Sequence, residues 1–211
     1  MLAHRLASSA APRTQLPLWE WRTFDYQPSL WQEAMHDAVR TVPLVMTAET
    51  YLPTRQSPCN VKLRGELLDV KQLVRTNVEG LELWEPVLRS EFPLAPSLLP
   101  QLCGLWQSPC PDVCPQVPTP EHLLSFVSHS MPDVRIVPLR KWRRRIRLHD
   151  CDGERVTILV EGKLLECLSL EHSDSATLLA ALKALHLDGE RNTSYLRAIK
   201  QTLGWLSEDP R

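Results

Sequence analysis

The sequence lacks the long apolar runs and short motifs that identify several large classes of protein. No stretch reaches the roughly 18 apolar residues that a membrane-spanning helix needs, and the N-terminal segment lacks the apolar core of a secretory signal. A glycine-rich phosphate loop, a Gly-x-Ser-x-Gly nucleophile elbow and a His-Glu-x-x-His pair are also missing. These absences predict a cytoplasmic protein without a membrane partner, and they argue against a serine- or cysteine-triad hydrolase.

Six cysteines are present, but none forms the Cys-x-x-Cys pair that is typical of zinc and redox sites. The missing secretory signal predicts reduced thiols rather than disulfides. Cys103, Cys110 and Cys114 lie in a proline-rich stretch, and His122 follows them. A zinc site at these four residues is the less favoured alternative, because their spacing matches no standard zinc pattern.

The length and charge of the chain indicate one ordinary globular domain. Its 211 residues are enough to bury a core without disulfides or metals. The net charge of -1 gives no overall attraction for nucleic acid or an anionic membrane, so any electrostatic function must come from local clusters of charge. We predict a flexible leader at residues 1–15, with a transit peptide as the alternative. A single domain follows at residues 16–207, with a proline-rich loop at 107–120.

Short apolar and β-branched runs separated by turn residues predict an antiparallel protein of the α+β class. Strands are predicted at residues 16–24, 42–52, 60–74 (a hairpin turning at 65–66), 81–87, 133–149, 155–161 and 164–171. Apolar residues at helical spacing predict helices at residues 29–40, 97–106, 121–129, 175–185 and 192–205. Further turns are predicted at Asp152-Gly153 and Glu161-Gly162, and Asn192 or Thr193 is the predicted cap of the last helix.

Charged side chains recur at every second position of several predicted strands, and such residues share one face of a strand. The charged positions, which alternate with apolar ones, are Lys62 and Arg64, Asp69 and Lys71, Glu20 and Arg22, and the run Lys141, Arg143, Arg145 and Arg147. In an open sheet this face would be exposed to solvent. In a closed barrel of about eight strands the charges would point inward, and helices would cover the apolar outside. Clustered cations would then bind a polyanion, and carboxylates would hold Mg²⁺ or Mn²⁺.

Three segments, taken in order, resemble the CYTH (triphosphate tunnel) superfamily. The first is the strand Trp19-Glu20-Trp21-Arg22-Thr23-Phe24. The second is Glu49-Thr50-Tyr51 followed by Asn60-Val61-Lys62-Leu63-Arg64 and Leu68-Asp69-Val70-Lys71. The third is Leu170-Glu171-His172, then a helix and Asn192-Thr193-Ser194-Tyr195. The resemblance covers roughly residues 17–203, and it depends on the order of the segments rather than on any single motif.

The resemblance implies a closed eight-stranded tunnel with helices packed outside, a triphosphate-containing ligand and dependence on a divalent metal. The ligand would be a small molecule or the 5′ end of an RNA, and the enzyme would be a metal-dependent triphosphatase. The implied triphosphate-binding residues are Lys62, Arg64, Lys71, Lys141, Arg143 and Arg145. The implied ligands of Mg²⁺ or Mn²⁺ are Glu20, Glu49 and Glu171.

The first acidic motif departs from the superfamily pattern, and this leaves catalysis open. The superfamily has Glu at alternating positions, whereas this chain has Leu18, Glu20 and Arg22 on that face. The alternative function is a non-catalytic interaction or RNA-binding module with solvent-facing basic strands. The basic run at residues 140–147 would then be its binding surface.

The late hairpin also departs from the superfamily pattern. Thr157 and Leu159 occupy positions where the resemblance leads us to expect another acid. Glu161 or Glu166 is the predicted substitute. Fewer carboxylates imply weaker metal binding.

Overall fold

The computed structural model describes residues 16–24 and 42–207, and the predicted leader and the helix predicted at 29–40 lie outside these ranges. The described strands are β1 (Leu18–Phe24), β2 (Val45–Tyr51), β3 (Cys59–Arg64), β4 (Leu67–Thr76), β5 (Glu82–Glu91), β6 (Val137–Leu148), β7 (Cys151–Val160) and β8 (Lys163–His172). The described helices are α1 (Leu98–Trp106), α2 (Pro120–Ser130), α3 (Ser175–Ala184) and α4 (Tyr195–Thr202). The turns predicted at residues 65–66 and 161–162 are confirmed.

The eight strands close into one antiparallel barrel in the order β1-β5-β4-β3-β2-β6-β7-β8, with β8 pairing back to β1. β7 pairs with β6 along its whole length and with β8 from Asp152 onward, so these three strands form a continuous wall. By contrast, β2 and β3 pair only through Thr50–Leu63 and Tyr51–Lys62. The predicted α+β class with an antiparallel barrel of about eight strands is therefore confirmed.

Alternation along the strands gives the wall an apolar outer face that the helices cover. Val61 and Val70, on β3 and β4, belong to an apolar cluster that includes the buried residues of α1 and α2. Trp21 and Leu170, on β1 and β8, belong to a second cluster with the buried residues of α3. The charged side chains that alternate with these apolar residues point into the barrel. None of the helices within the described ranges is long and apolar enough to cross a membrane.

Helix α4 closes one end of the barrel. Its Ile199 packs in an apolar cluster with Val156 and other inward-facing strand residues. The ammonium group of Lys200 donates hydrogen bonds to the backbone oxygens of Arg55 (2.9 Å) and Ser57 (2.8 Å), in the loop between β2 and β3. These contacts fix α4 against the loop between β2 and β3.

The last helix begins later than predicted, and Asn192 does not cap it. Ser194 is the N-cap residue. The side chain of Asn192 instead binds three backbone groups: its Oδ1 accepts from the N–H of Arg22 (2.8 Å), and its Nδ2 donates to the carbonyls of Glu20 (3.1 Å) and Gly80 (2.9 Å). Asn192 thus ties the segment before α4 to β1, where these backbone groups would otherwise lack partners.

The turn predicted at Asp152-Gly153 is wrong, because these residues lie within β7. His149 and Asp150 form the turn between β6 and β7, with φ angles of 46° and 66°. Gly153 has a packing role instead. A Cβ atom added there would lie 3.0 Å from Cδ2 of Leu170 and 3.1 Å from Cγ1 of Ile146, so only glycine fits between these side chains without displacement.

Candidate functional site

The inner face of the barrel encloses a cavity of about 430 Å³ whose wall is mostly charged. Eight basic side chains line it: Arg22, Lys62, Arg64, Lys71, Arg89, Lys141, Arg143 and Arg145. Six acidic side chains line it: Glu20, Glu49, Asp69, Asp152, Glu154 and Glu171. The structure therefore brings all nine predicted site residues into one cavity. The open-sheet alternative is wrong, because the strands close and Lys62, Lys141 and Arg143 are buried.

Glu49 on β2 is the most buried carboxylate of this wall, with a side chain that is 0% exposed. Its Oε2 accepts from Nζ of Lys141 at 2.6 Å and from the hydroxyl of Tyr51 at 3.1 Å. Its Oε1 accepts from Nε of Arg64 at 3.1 Å and from Nη2 of Arg143 at 3.3 Å. One carboxylate therefore serves as the counter-ion of three cations that project from β3 and β6.

This crowding of cations sets the ionisation of Glu49. Burial alone would raise the pKa of Glu49, but Lys141, Lys62 and Arg64 lower it to about 2. Burial also lowers the pKa of Lys141, to about 7, although the attraction of Glu49 opposes this shift. Because several cations face a single carboxylate, Glu49 stays ionised at neutral pH. Lys141 loses its proton at a lower pH than an ordinary lysine does.

Two further ion pairs lie inside the barrel beside β4. Nζ of Lys71 on β4 lies 2.6 Å from Oε1 of Glu20 on β1, so this pair passes over the intervening strand β5. Nζ of Lys62 lies 3.4 Å from Oδ2 of Asp69, and the two residues are opposite each other in the β3–β4 register. Burial opposes the charge on Lys71, but Glu20 raises its pKa above the ordinary value. Lys62 differs, because burial lowers its pKa although Glu49 and Asp69 oppose this shift.

Four of the six cavity carboxylates lie on β7, β8 and β1, which run side by side. Glu171 on β8 is paired in register with Glu20 on β1 and with Asp152 on β7. Within the described ranges, Glu171 forms no ion pair, unlike Glu20. Burial raises the pKa of Glu171, and the negative charge of Glu20 raises it further. An added cation would therefore be stabilised beside this pair.

The donor set determines how a divalent cation would fit. Among the described residues, no group of three or more His, Cys, Asp or Glu side chains could hold a metal ion. Mg²⁺, however, is commonly held by one or two carboxylates together with substrate phosphates. Glu20 and Glu171 are two carboxylates opposite each other in the β1–β8 register, and they would be the candidates for such a pair. Glu49 fits less well, because both of its oxygens already accept hydrogen bonds from cations. The zinc alternative at the cysteines finds no support in the part of the chain described.

Arg22 on β1 is a buried cation for which the described residues provide no carboxylate within 4 Å. The residue is 7% exposed. Its Nη1 donates to Sγ of Cys167 at 3.2 Å, and its guanidinium carbon lies 4.0 Å from the centre of the Tyr195 ring. Burying a charge without a counter-ion is costly. Although burial opposes the charge, nearby groups that include Glu20 and Glu154 raise the pKa of Arg22, so a charged guanidinium faces the cavity without a direct carboxylate contact among the described residues.

Glu154 on β7 is a site residue that the sequence analysis missed. Its Oε1 lies 3.5 Å from Nη1 of Arg143 and 3.2 Å from Nε of Arg145, whose side chain is 72% exposed. Neither predicted substitute lines the cavity: Glu161 lies in the exposed turn between β7 and β8, and Glu166 lies 3.8 Å from Nε of Arg155. The sequence prediction misses Glu154 because it places the turn at residues 152–153. With the turn at residues 149–150, Glu154 lies directly opposite Arg145.

The remaining polar wall includes residues whose roles the sequence analysis did not predict. Asp69 was identified as sharing a face with Lys71, but not as a partner of Lys62. Arg89 on β5 lies opposite Asp69 in register. Oδ1 of Asn60 is buried in this wall and has no hydrogen-bond partner among the described residues. The hydrogen bonding of the wall is therefore incomplete without additional polar groups.

Comparison with known proteins identifies the fold. The protein HpAC1 of Hippeastrum, described as a proposed adenylyl cyclase with a dominant triphosphatase activity, is 13% identical. The match covers 89% of this chain and 96% of that chain, with a TM-score of 0.50. Two further structures are less similar. A proposed adenylate cyclase of Bacillus halodurans is 13% identical, and the match covers 85% of this chain and 95% of that chain with a TM-score of 0.47. A conserved protein of Pyrococcus furiosus is 15% identical, and the match covers 85% of this chain and 98% of that chain with a TM-score of 0.48.

No protein-family model matches the sequence, and no curated protein matches it. The shared architecture with HpAC1 extends over most of both chains. The tunnel fold that the CYTH resemblance implies is therefore confirmed.

Proposed function

We propose that the barrel binds the phosphate chain of a triphosphate-containing ligand and, with Mg²⁺ or Mn²⁺, hydrolyses it. The observation that carries this proposal is Arg22, a buried guanidinium in the cavity wall without a carboxylate partner among the described residues. A guanidinium binds phosphate oxygens through two parallel hydrogen bonds, which is a favourable way to compensate such a charge.

The charges around Arg22 support a polyanion rather than a neutral ligand. Basic side chains outnumber acidic ones in the cavity wall, eight to six. They project from several strands around the cavity, so a chain of phosphates would meet cations on more than one side. The cavity volume of about 430 Å³ lies within the usual range of small-ligand sites. Because α4 closes one end, the phosphate chain would enter from the end at which Arg145 lies.

Glu20 and Glu171 are the proposed metal-holding carboxylates, and Glu49 has a different role in this proposal. A divalent cation bound beside the phosphates would neutralise their negative charge and favour attack by water. Glu49 would instead hold Lys141, Arg143 and Arg64 in position for the ligand. Leu18, where the superfamily has a second acid, leaves only Glu20 from β1 for the metal.

A thermal-shift series tests binding and metal dependence separately. Inorganic triphosphate is the first probe, because HpAC1, which has this fold, is described as a triphosphatase. ATP, thiamine triphosphate and an RNA with a 5′-triphosphate carry the same group, and each is tested with and without Mg²⁺ or Mn²⁺. A ligand at about 100 times its Kd adds about 2.7 kcal/mol of stability. A shift with any of them supports binding, and phosphate release with metal supports hydrolysis. Absence of any shift would overturn the proposal.

Substitutions in the wall show whether the ligand occupies the tunnel. We expect Lys62→Ala and Arg64→Ala to abolish the shift with triphosphate while the far-ultraviolet circular dichroism stays unchanged. Lys163→Ala is the matched control, because Lys163 is exposed at the start of β8. Retained binding in both wall variants would place the ligand outside the tunnel.

A further inference from the structure

Two cysteine sulfurs lie side by side in the proline-rich loop between α1 and α2. Sγ of Cys110 and Sγ of Cys114 are 3.4 Å apart. Cys110 is exposed and Cys114 is partly buried against the apolar cluster under α1 and α2. The pair lies outside the barrel, on the side away from the charged cavity, and takes no part in the proposed function.

The sequence of the loop accounts for this proximity. Pro111 lies between the two cysteines and Pro109 and Pro115 flank them, and each proline ring restricts its own backbone φ angle. The loop contains neither helix nor strand here. A disulfide needs a sulfur separation of about 2.05 Å. The sulfurs must therefore approach by roughly 1.4 Å, a movement that a segment without ladder hydrogen bonds allows.

The other thiols of the described residues are poorly placed for the same reaction. Cys59, Cys151 and Cys167 are buried in separate parts of the barrel wall. Cys103 in α1 is close enough to Cys110 to interact with it, but Cys103 is only 2% exposed. Burial and the neighbouring Cys110 thiol raise the pKa of Cys103 to about 12, and the hydrogen bond with Cys110 raises the pKa of Cys114 as well. Burial, rather than ionisation, distinguishes Cys103 from the other two thiols. Cys110 is therefore the thiol that an oxidant in solution would reach first.

We propose that Cys110 and Cys114 form a reversible disulfide by exchange with a small disulfide such as oxidised glutathione. The thiolate of Cys110 attacks one sulfur of glutathione disulfide, which releases one glutathione thiolate and leaves a mixed disulfide. The thiolate of Cys114 then attacks the Cys110 sulfur and releases the second glutathione thiolate. The two cysteines are oxidised, one glutathione disulfide is reduced to two thiols, and the protons pass to solvent.

The bridge would restrain the loop that covers the apolar cluster under α1 and α2. The same loop is joined to the segment after β5 by the β-bridge between Leu94 and Val117. Closing a ring between Cys110 and Cys114 removes conformations of the loop that a protease needs for cleavage. We therefore expect the oxidised protein to resist cleavage within residues 108–118 more than the reduced protein does.

Peptide mapping of the folded full-length protein tests this proposal. The protein is incubated with oxidised glutathione, free thiols are alkylated, and the digest is analysed by mass spectrometry before and after dithiothreitol. We expect one peptide that contains both cysteines, has lost two hydrogen atoms and is restored by dithiothreitol. Glutathione that stays attached to Cys110, a bridge to Cys103, or six alkylated cysteines would each overturn the proposal.

Single substitutions distinguish this bridge from a nonspecific one. Cys114→Ser must stop the reaction at a glutathione adduct on Cys110, and Cys110→Ser must abolish it. Cys103→Ala is the matched control, because the proposed bridge does not use Cys103, and this variant must still form it. Loss of the bridge in Cys103→Ala would show that the reaction passes through the buried thiol, contrary to the proposal.

Discussion

Nζ of Lys141 on β6 lies 2.6 Å from Oε2 of Glu49 on the neighbouring strand β2, and the two side chains are only 4% and 0% exposed. Such a pair is an uncertain source of stability, because removing both charges from water costs about as much as their attraction returns. Glu49, however, also meets Arg64 and Arg143. The pair therefore matters most as the arrangement that holds three cations inside the barrel.

Replacing Glu49 by glutamine tests this role. We expect Glu49→Gln to lower the free energy of unfolding by about 3–5 kcal/mol, because it leaves buried cations without their counter-ion. Urea denaturation followed by tryptophan fluorescence measures the loss. Glu66→Gln is the control, since Glu66 is an exposed turn residue, and it should change stability by less than about 0.5 kcal/mol. Equal stability of the two variants would contradict the role of Glu49.

The same carboxylate predicts a loss of stability in acid. The pKa of Glu49 falls from the ordinary 4.5 to about 2 in the folded protein. The unfolded chain therefore binds this proton more readily, so its contribution is complete above pH 4.5 and declines as the pH falls toward 2. It corresponds to about 3 kcal/mol. Denaturation at pH 5 and pH 3 should show a smaller decline in Glu49→Gln than in the wild type, and equal declines would count against the assignment.

Replacing Arg22 should weaken binding much more than it changes stability. Arg22→Gln removes a buried charge that lacks a carboxylate partner in the described residues. It also removes the hydrogen bond to Cys167 and the contact with the Tyr195 ring, so the stability of the ligand-free protein should change little. Triphosphate affinity should fall about 10- to 100-fold, since hydrogen bonds to charged groups contribute about 1.5–3 kcal/mol. Calorimetric titration measures the affinity. Arg140→Gln is the control, because Arg140 is exposed on the same barrel; equal losses in the two variants would exclude a specific role for Arg22.

The alternation of charged and apolar residues was sufficient to predict most of the barrel wall. Lys62 and Arg64 alternate with Val61 and Leu63, and the structure places the first pair in the cavity and the second pair under the helices. The pattern gives the two faces of a strand but not which face is enclosed. Enclosure depends on closure between β1 and β8, a pairing of residues about 150 positions apart that local sequence does not specify.

The error at β7 has a local cause. Asp-Gly is a strong turn signal, yet Gly153 is needed within the strand because Leu170 and Ile146 leave no room for a Cβ atom. His149 and Asp150 adopt the positive φ angles of the turn instead. Misplacing the turn excluded Glu154 from the predicted strand. A contact between neighbouring strands thus overrode the local preference of the sequence.

Replacing Glu171 should separate the stabilisation that Mg²⁺ adds from the stabilisation that triphosphate alone gives. We expect Glu171→Gln to abolish the additional thermal shift that Mg²⁺ gives with triphosphate, while the shift without metal remains. The loss follows because only Glu20 would be left of the proposed carboxylate pair. Glu161→Gln is the control, since Glu161 is exposed in the turn between β7 and β8. An unchanged metal effect in Glu171→Gln would place the metal elsewhere or exclude it.

We expect the close packing around Gly153 to determine the position of the β6–β7 turn. A methyl group at this position would approach Leu170 and Ile146 at 3.0 and 3.1 Å. Gly153→Ala should therefore cost about 1–3 kcal/mol, the usual penalty for overpacking. Gly189→Ala is the control, because nothing lies within 4 Å of its added Cβ and its φ is not in the left-handed region. Denaturation of both variants measures the difference. If Gly153→Ala were as stable as Gly189→Ala, close packing could not be the reason that glycine lies within β7.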